Sequence, residues 1–318
     1  MRNDDTRLRR KLPSRLLAAA HTVRKLTGVP QVHPCGDFTI TLPADHWLPL
    51  YQRQHRLYDR FLPVLCQSFS RGEWIIDVGA NCGDTVAAIL SANRTASCLC
   101  IEGDDTFFRS LTHNIESFAS ACPAARVIPI EALVGTGALH GDLQGAHGTS
   151  TLKESAATDG KTQWLSLERI VHQLPQTAPL REGLSHSEII RLIKSDVDGF
   201  DYDVLASAGD LLDAPGLLLY FECQCADTDQ LRGYLRTFEL LMARGFCNFS
   251  LFDNFGNYMA EVSTLRQLEV MLDYVWAQTR GLSTRTIYYY DILASKPTSA
   301  DIAQAALSRW QAFVESGN

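Results

Sequence analysis

Residues 74–90 read WIIDVGANCGDTVAAIL. A run of bulky apolar residues meets Asp77, then Gly79, Asn81 and Gly83 follow within five positions, and an apolar helical pattern begins. A strand that ends in a glycine-rich turn opening a helix brings backbone close to a ligand, because glycine tolerates positive φ and has no Cβ in the way. A dinucleotide turn would read G-x-G-x-x-G and seat a pyrophosphate on the helix N-terminus. Here the third glycine is missing, and Asp77 and Asp84 flank the turn. Two carboxylates repel a pyrophosphate and suit a cofactor with a cationic amino group. S-adenosylmethionine carries such a group and a sulfonium as well. This argues against an oxidoreductase on a dinucleotide fold.

Around that turn the chain alternates short apolar runs with longer helical periods, the pattern of a mostly parallel sheet with crossover helices. Strands are predicted near 74–78, 97–102, 126–133, 190–196, 216–223, 246–252 and 286–293. Helices are predicted near 83–92, 105–118, 200–208, 228–244, 263–278 and 300–315. The fold class is α/β, a Rossmann-like seven-stranded sheet with helices on both faces, over residues 71–318. Residues 134–166, rich in Gly, Ser and Thr, read as an inserted loop or hairpin. Residues 1–70 read as an annex on the acceptor side: a hairpin at 36–42, then one helix over 45–65 with Tyr51, His55 and Tyr58 on a shared face.

The second strand ends Cys98-Leu99-Cys100-Ile101-Glu102. A carboxylate there can accept both hydroxyls of a ribose. The fourth strand ends in Asp196, with Asp198 two residues on, and the fifth ends in Glu222. All three belong to the carboxyl edge where open α/β sheets bind ligands. Either of two chemistries fits them. One carboxylate, its pKa raised by its neighbours, acts as general base on an acceptor hydroxyl; or Asp196 and Glu222, with a third oxygen, hold Mg²⁺. The competing structural reading makes Asp198 and Asp201 caps of the helix that follows. His55 and His147 are alternative bases, and Tyr51, Tyr58, Phe255 and Tyr258 are candidates for stacking on a sugar face.

The ordered blocks IIDVGANCGDT, IEGDDTFFRSLTHNI, HGTSTL, WLSLERI, IKSDVDGFDYDVLASAG, LLLYFECQ, SLFDNFGNY and YYYDILASK resemble the FkbM family of S-adenosylmethionine-dependent methyltransferases. They span roughly residues 36–293. The resemblance implies a methyltransferase sheet whose last strand is inserted antiparallel, and O-methylation of a hydroxyl on a sugar, a glycan or a glycosylated natural product. Position by position, it puts Asp77, Gly79, Asn81, Gly83 and Thr85 around the methionine end of the cofactor and Glu102 on the ribose. Gly103 and Asp104 fall on the adenosine side, Ala132 and Leu133 near the adenine, and Ser150 and Thr151 in a segment closing over the cofactor. Two departures stand out: Glu102 is followed by Gly103 where the family often has proline, and Asp198 stands where glutamate is usual. The DVDGFDYDV stretch also bears a faint likeness to the macrocin-type sugar methyltransferases, which use acidic residues at similar strand ends for a metal. No Asn/Asp-Pro-Pro-Tyr run of the amide and base N-methyltransferases occurs. N-methylation of a small amine, and a cofactor-binding module without catalysis, are the remaining alternatives.

Composition bounds the partners. The 318 residues carry a net charge of −7, which argues against a nucleic-acid footprint. Nine cysteines, odd in number and irregular in spacing, read as free thiols in a reducing compartment. No apolar run reaches the roughly 18 residues of a membrane span, so a cytoplasmic location is expected. Residues 1–28 hold eight Lys/Arg against Asp4 and Asp5. With Leu16, Ala20 and Val23 on one helical face, this segment suits peripheral contact with an anionic inner-membrane surface as well as a solvated helix.

Overall fold

The computed structural model describes residues 26–137, 141–146, 149–154, 164–181 and 189–316. The basic segment through residue 25, His147, and the side chains of residues 138–163 lie outside them.

The chain opens with a hairpin of β1 (Gln31–Cys35) and β2 (Phe38–Leu42), then two short helices, α1 (Leu48–Gln54) and α2 (Phe61–Cys66). Next come β3 (Trp74–Val78), α3 (Asp84–Ala92), β4 (Ser97–Glu102), α4 (Asp105–Ala121), β5 (Val127–Glu131) and β6 (Leu133–Val134). A hairpin of β7 (Gly141–Ala146) and β8 (Thr149–Glu154) precedes β9 (Trp164–Leu165) and α5 (Leu167–Gln173). The rest is β10 (Ile190–Ser195), α6 (Asp201–Ala206), β11 (Leu218–Gln224), α7 (Thr228–Ala243), β12 (Asn248–Asp253), β13 (Tyr258–Val262), α8 (Leu265–Thr279), β14 (Tyr289–Ser295) and α9 (Ala300–Glu315).

Eight strands form the main sheet, in the order β13-β12-β14-β11-β10-β3-β4-β5. β5, β4, β3, β10 and β11 pair in parallel, while β14 runs antiparallel to both β11 and β12. Without β13 this is the seven-stranded sheet that the sequence predicts, with the antiparallel insertion that the resemblance implies. The eighth strand, β13, is the difference. Residues 253–257 form a turn: Asp253 Oδ1 accepts the N–H groups of Phe255 and Asn257, both at 2.9 Å. An aspartate that bonds the backbone two residues on favours such a reversal, and Tyr258–Val262 returns along β12 as an edge strand.

Every residue of β3 and β4 is buried, as expected of central parallel strands covered on both faces. Ile76 and Val78 face one core with α5, α6, α7 and α8; Ile75 faces the other with the hairpin, α2, α3, α4 and α9. Helix starts follow ordinary chemistry. Asp104 caps α4 by accepting the N–H of Thr106 and Phe107, Asp227 caps α7, and Thr264 with Gln267 forms a capping box on α8. α3 has no side-chain cap; Gly83, with φ +82°, takes its N-cap position. α5, which the predicted elements omit, starts at Ser166, whose hydroxyl accepts the Arg169 N–H.

The annex differs from its prediction. The hairpin forms, one strand longer than expected, but the helix over 45–65 is broken. His55 is extended at φ −120°, ψ 101°, and Asp59 is left-handed at φ 56°. Tyr51, His55 and Tyr58 therefore do not share a helical face. Tyr51 and Tyr58 still stack, 5.5 Å between centroids, whereas the His55 ring lies on Phe255 at 4.0 Å. The break is held against the β12–β13 turn, where a Cβ on Gly256 would fall 2.4 Å from the Leu57 carbonyl oxygen. The hairpin is tied down by Asn114 of α4. Its side-chain oxygen accepts the Thr41 N–H, and its amide donates to the carbonyls of Thr41 and Cys82.

All nine cysteines are free and eight are buried. Among the described residues no helix is long and apolar enough to cross a membrane.

Candidate active site

A cavity of about 670 Å³ opens at the carboxyl ends of β3, β4, β10 and β11. That lies in the upper half of the usual range for ligand pockets, roughly 300–1,000 Å³. Gly79, Asn81, Thr85, Glu102, Gly103, Ala132, Leu133, Asp196, Asp198 and Glu222 all line it. Ten residues singled out from the sequence, spread over more than 140 positions, thus meet at one cavity.

The glycine turn is built by close approach. Gly79 has φ +74°, and a Cβ there would sit 2.0 Å from the Asp196 carbonyl oxygen, so β3 and β10 can meet only without a side chain. Gly83 serves packing instead, since its Cβ would strike Leu111 and Phe118, and it does not line the cavity. Glu102 locks the turn to the end of β4. One carboxylate oxygen accepts the Asn81 N–H and the other accepts the Asp104 N–H, each at 2.8 Å. Each oxygen keeps a lone pair for a ligand hydroxyl. Burial pushes the Glu102 carboxyl up to about 7, against the pull of those two N–H groups.

Asp77 departs from its expected place. It is fully buried beneath the turn and does not line the cavity. The register of β3 and β10 sets it beside Lys194, whose Nζ lies 3.0 Å from Asp77 Oδ1 and 3.6 Å from Asp196 Oδ2 and donates to the Gly79 carbonyl at 3.0 Å. Burial opposes the charge on Lys194, but the two aspartates outweigh it and hold the ammonium protonated. Asp104 likewise acts as the α4 cap and stays outside the cavity. Ser150 and Thr151 fall on β8, where side chains lie outside the described residues.

Histidine 46 supports the turn from the annex. Its Nδ1 accepts the Leu48 N–H at 3.2 Å, so its Nε2 carries the hydrogen donated to Asn81 Oδ1 at 3.0 Å. Burial lowers its pKa, which keeps this neutral tautomer. The only non-glycine residues with positive φ among those described are Asp59 (56°), Asn81 (47°) and Asp198 (53°), and all three line this one cavity. Sparsely populated backbone states of this kind cluster at functional sites.

Asp201 is not the helix cap considered above. It is fully buried, Oδ1 accepts the Ser195 hydroxyl at 2.6 Å, and burial with Asp196 nearby pushes its carboxyl up to about 7. Asp198 is not the N-cap either: Phe200 occupies that position.

Several lining residues were missed. Asp59 comes from the break in the annex helix, next to Tyr58, which the sequence did single out, and Tyr289 and Asp291 come from the start of β14. Glu222 and Asp291 are direct cross-strand partners. Burial, then neighbouring carboxylates, push both well above the usual carboxylate range. Asp59 moves the same way although its side chain is open to solvent: it stands in a concave, acidic wall.

The donor set fits S-adenosylmethionine. Glu102 suits the ribose, Ile101, Ala132, Leu133 and Val134 offer an apolar strip for the adenine, and Asp84 stands beside the turn for the amino group. The alternative of Mg²⁺ on Asp196 and Glu222 gains no support from the carboxylates and histidines around them. Among the described residues no third Asp, Glu, His or Cys ligand joins Asp196 and Glu222; the one such group of three is Glu168, His172 and Asp210, outside the cavity.

No family model and no curated protein matches the chain. Among solved structures, an O-methyltransferase from Bacillus cereus in complex with S-adenosylhomocysteine superposes with a TM-score of 0.41 and 12% identity, over 90% of this chain and 92% of its own. TYW2 of P. horikoshii in complex with MeSAdo gives 0.41 and 11%, over 90% and 86%. Methyltransferase FkbM from Methylobacillus flagellatus gives 0.35 and 16%, over 61% of this chain and 42% of that one. At such scores the chemistry has to be read from this chain's own residues. The fold itself is plain from its strand order: an α/β methyltransferase-type sheet with the antiparallel insertion.

Proposed function

We propose that the protein is an S-adenosylmethionine-dependent O-methyltransferase acting on a hydroxyl of a sugar, a glycan or a glycosylated natural product. One observation carries the reading. Glu102, at the end of the second strand, grips the glycine turn through both oxygens and still offers an anionic edge to the cavity. That edge matches a ribose diol, and the acidic surroundings suit a cofactor of positive charge.

When bound, the cofactor supplies a methyl group on a sulfonium, open to in-line displacement. The protein's task is then alignment and proton removal. Asp196, Asp198 and Glu222 face the space beyond the turn, where one of them takes the acceptor's hydroxyl proton. Lys194 stabilises the ionised Asp196 and fixes the Gly79 carbonyl. Annex residues 46–62 form the rim on the acceptor side. The basic segment 1–28 supports a cytoplasmic enzyme with peripheral contact to anionic membrane, readable by vesicle cosedimentation with and without that segment.

The test is calorimetric titration of S-adenosylhomocysteine into the wild type and Glu102→Ala, with and without Mg²⁺, beside NAD as a control. Saturable binding that the variant loses, and no heat with NAD, supports the reading. Absence of binding in both conditions sinks it. A requirement for Mg²⁺ would restore the metal mechanism.

A further inference from the structure

Charge in the cavity is strongly one-sided. Seven lining residues are acidic and two, Arg60 and Lys194, are basic. Lys194 is already committed to Asp77, a carboxylate that lies outside the lining. Glu102 and Asp84 belong to the cofactor half, at the end of β4 and the start of α3. The remaining acids gather across the sheet: β11 is three strands from β4, roughly 14 Å at the usual strand spacing.

Two features of that far half go beyond a mere acidic cluster. Glu222 is 8% exposed, faces the cavity, and meets no hydrogen-bond donor or basic side chain among the described residues; the Tyr234 hydroxyl donates to its backbone carbonyl instead. Directly opposite it on β14 stands a second carboxylate, Asp291. Like charges at opposed cross-strand positions destabilise a sheet, and a rule broken at a buried, unpartnered position marks a place shaped for something else. Moreover, Asp59 and Asp198 hold left-handed backbone to present their carboxylates here. Tyr58 and Tyr289 line the same wall; Asp59 pushes the Tyr58 phenol up and burial pushes up that of Tyr289, so both rings stay neutral. Carboxylates interleaved with aromatic rings are the chemistry that binds an organic cation.

We infer that the acceptor carries an ammonium group, seated between Glu222, Asp291 and Asp198 beside the rings of Tyr58 and Tyr289, and is methylated on a hydroxyl of the same molecule. An amine-bearing glycoside is the class that meets both conditions. This rests on the methyltransferase reading above and narrows its substrate. The acceptor oxygen forms its bond to the methyl carbon as the carbon–sulfur bond breaks with its electron pair left on sulfur. The hydroxyl proton passes to Asp196, and the ammonium keeps its own. Fixing the ammonium holds the acceptor by a group that takes no part in the displacement, so the hydroxyl is placed by the rest of the molecule's shape.

The full chain, saturated with S-adenosylhomocysteine at pH 7 and low salt, is titrated with neamine, a two-ring amine-bearing glycoside, and with its fully N-acetylated form. Neamine should bind about tenfold or more tightly than the acetylated form, and the double variant Glu222→Gln with Asp291→Asn should lose about tenfold of that affinity. S-adenosylhomocysteine binding by the double variant serves as the check on its fold. No binding of S-adenosylhomocysteine to the wild type overturns the reading beneath the inference. Cofactor binding with the two glycosides indistinguishable, with neither bound, or with neamine affinity untouched by the double variant overturns the ammonium seat alone.

Discussion

Replacing Glu102 with glutamine separates the residue's structural task from its binding task. Each carboxylate oxygen accepts one backbone N–H, from Asn81 and from Asp104. A glutamine oxygen can serve one of them, and its amide nitrogen then meets the other donor with a donor. One N–H left without an acceptor costs about 1–3 kcal/mol. For folding, this is opposed by the relief of a buried carboxyl whose pKa stands near 7, so at pH 8 the net change in stability is small. For the ligand nothing offsets the loss. One ribose hydroxyl loses its anionic acceptor and the other keeps a neutral one. At roughly 1.5–3 kcal/mol for a hydrogen bond to a charged group and less for the weakened one, the penalty is about 2–4 kcal/mol, or ~30- to 700-fold in affinity. The assay is calorimetric titration of S-adenosylhomocysteine at pH 8, with the melting temperature of both proteins as control. A variant that binds within about threefold of wild type would refute the assignment of Glu102 to the ribose.

Gly79→Ala should lose S-adenosylhomocysteine binding and lower the melting temperature, because a methyl at φ +74° is placed 2.0 Å from the Asp196 carbonyl oxygen; an unchanged melting temperature would contradict that close approach. Lys194→Met leaves Asp77 buried without its cation and should cost about 3–5 kcal/mol in urea unfolding, of which Asp77→Asn in the same chain restores more than half; strict additivity of the two would dismiss the pair. Glu102 and Asp201 both bind their protons more tightly folded than unfolded, so the stability they confer is complete below their ordinary values near 4 and is lost as the pH rises through about 7. Asp201→Asn should therefore flatten the fall in unfolding free energy between pH 5 and 8, by up to on the order of 3 kcal/mol; a wild-type profile that rises over that window has the wrong sign. Over the same window wild-type affinity for S-adenosylhomocysteine should strengthen as Glu102 ionises, and a flat profile would detach the carboxyl from the ligand.

Strand ends at one sheet edge were legible because parallel strands repeat a simple pattern: apolar run, acid, glycine or helix start. Glu102, Asp196 and Glu222 follow it. Asp77 fits the same pattern and yet lies beneath the cavity. What separates it from Glu102 is the partner strand. The Lys194 of LIKSD sits in register with the Asp77 of WIIDV, and two opposite charges inside two otherwise apolar strands signal a pair. Tyr289 and Asp291 escaped for a different reason: β14 runs backwards, so its beginning, not its end, reaches the edge where the other strands finish. Asp59 was masked by a periodicity that looks helical through 45–65. The break there depends on Gly256 and Phe255, two hundred residues away, and local sequence carries no trace of that contact.

The reversed strand also divides the labour of the chain unequally. Most of the cofactor half comes from one stretch, residues 78–103, with Ala132 and β6 close behind, whereas the acceptor half needs a loop near residue 58, the strand end at 222 and a strand that begins at 289. During synthesis most residues of the nucleoside pocket emerge well before the opposite wall, whose contacts close very large loops. Over evolutionary time the same partition lets substitutions at the early loop and the late strand retune what is methylated while the machinery that holds the methyl donor is inherited intact.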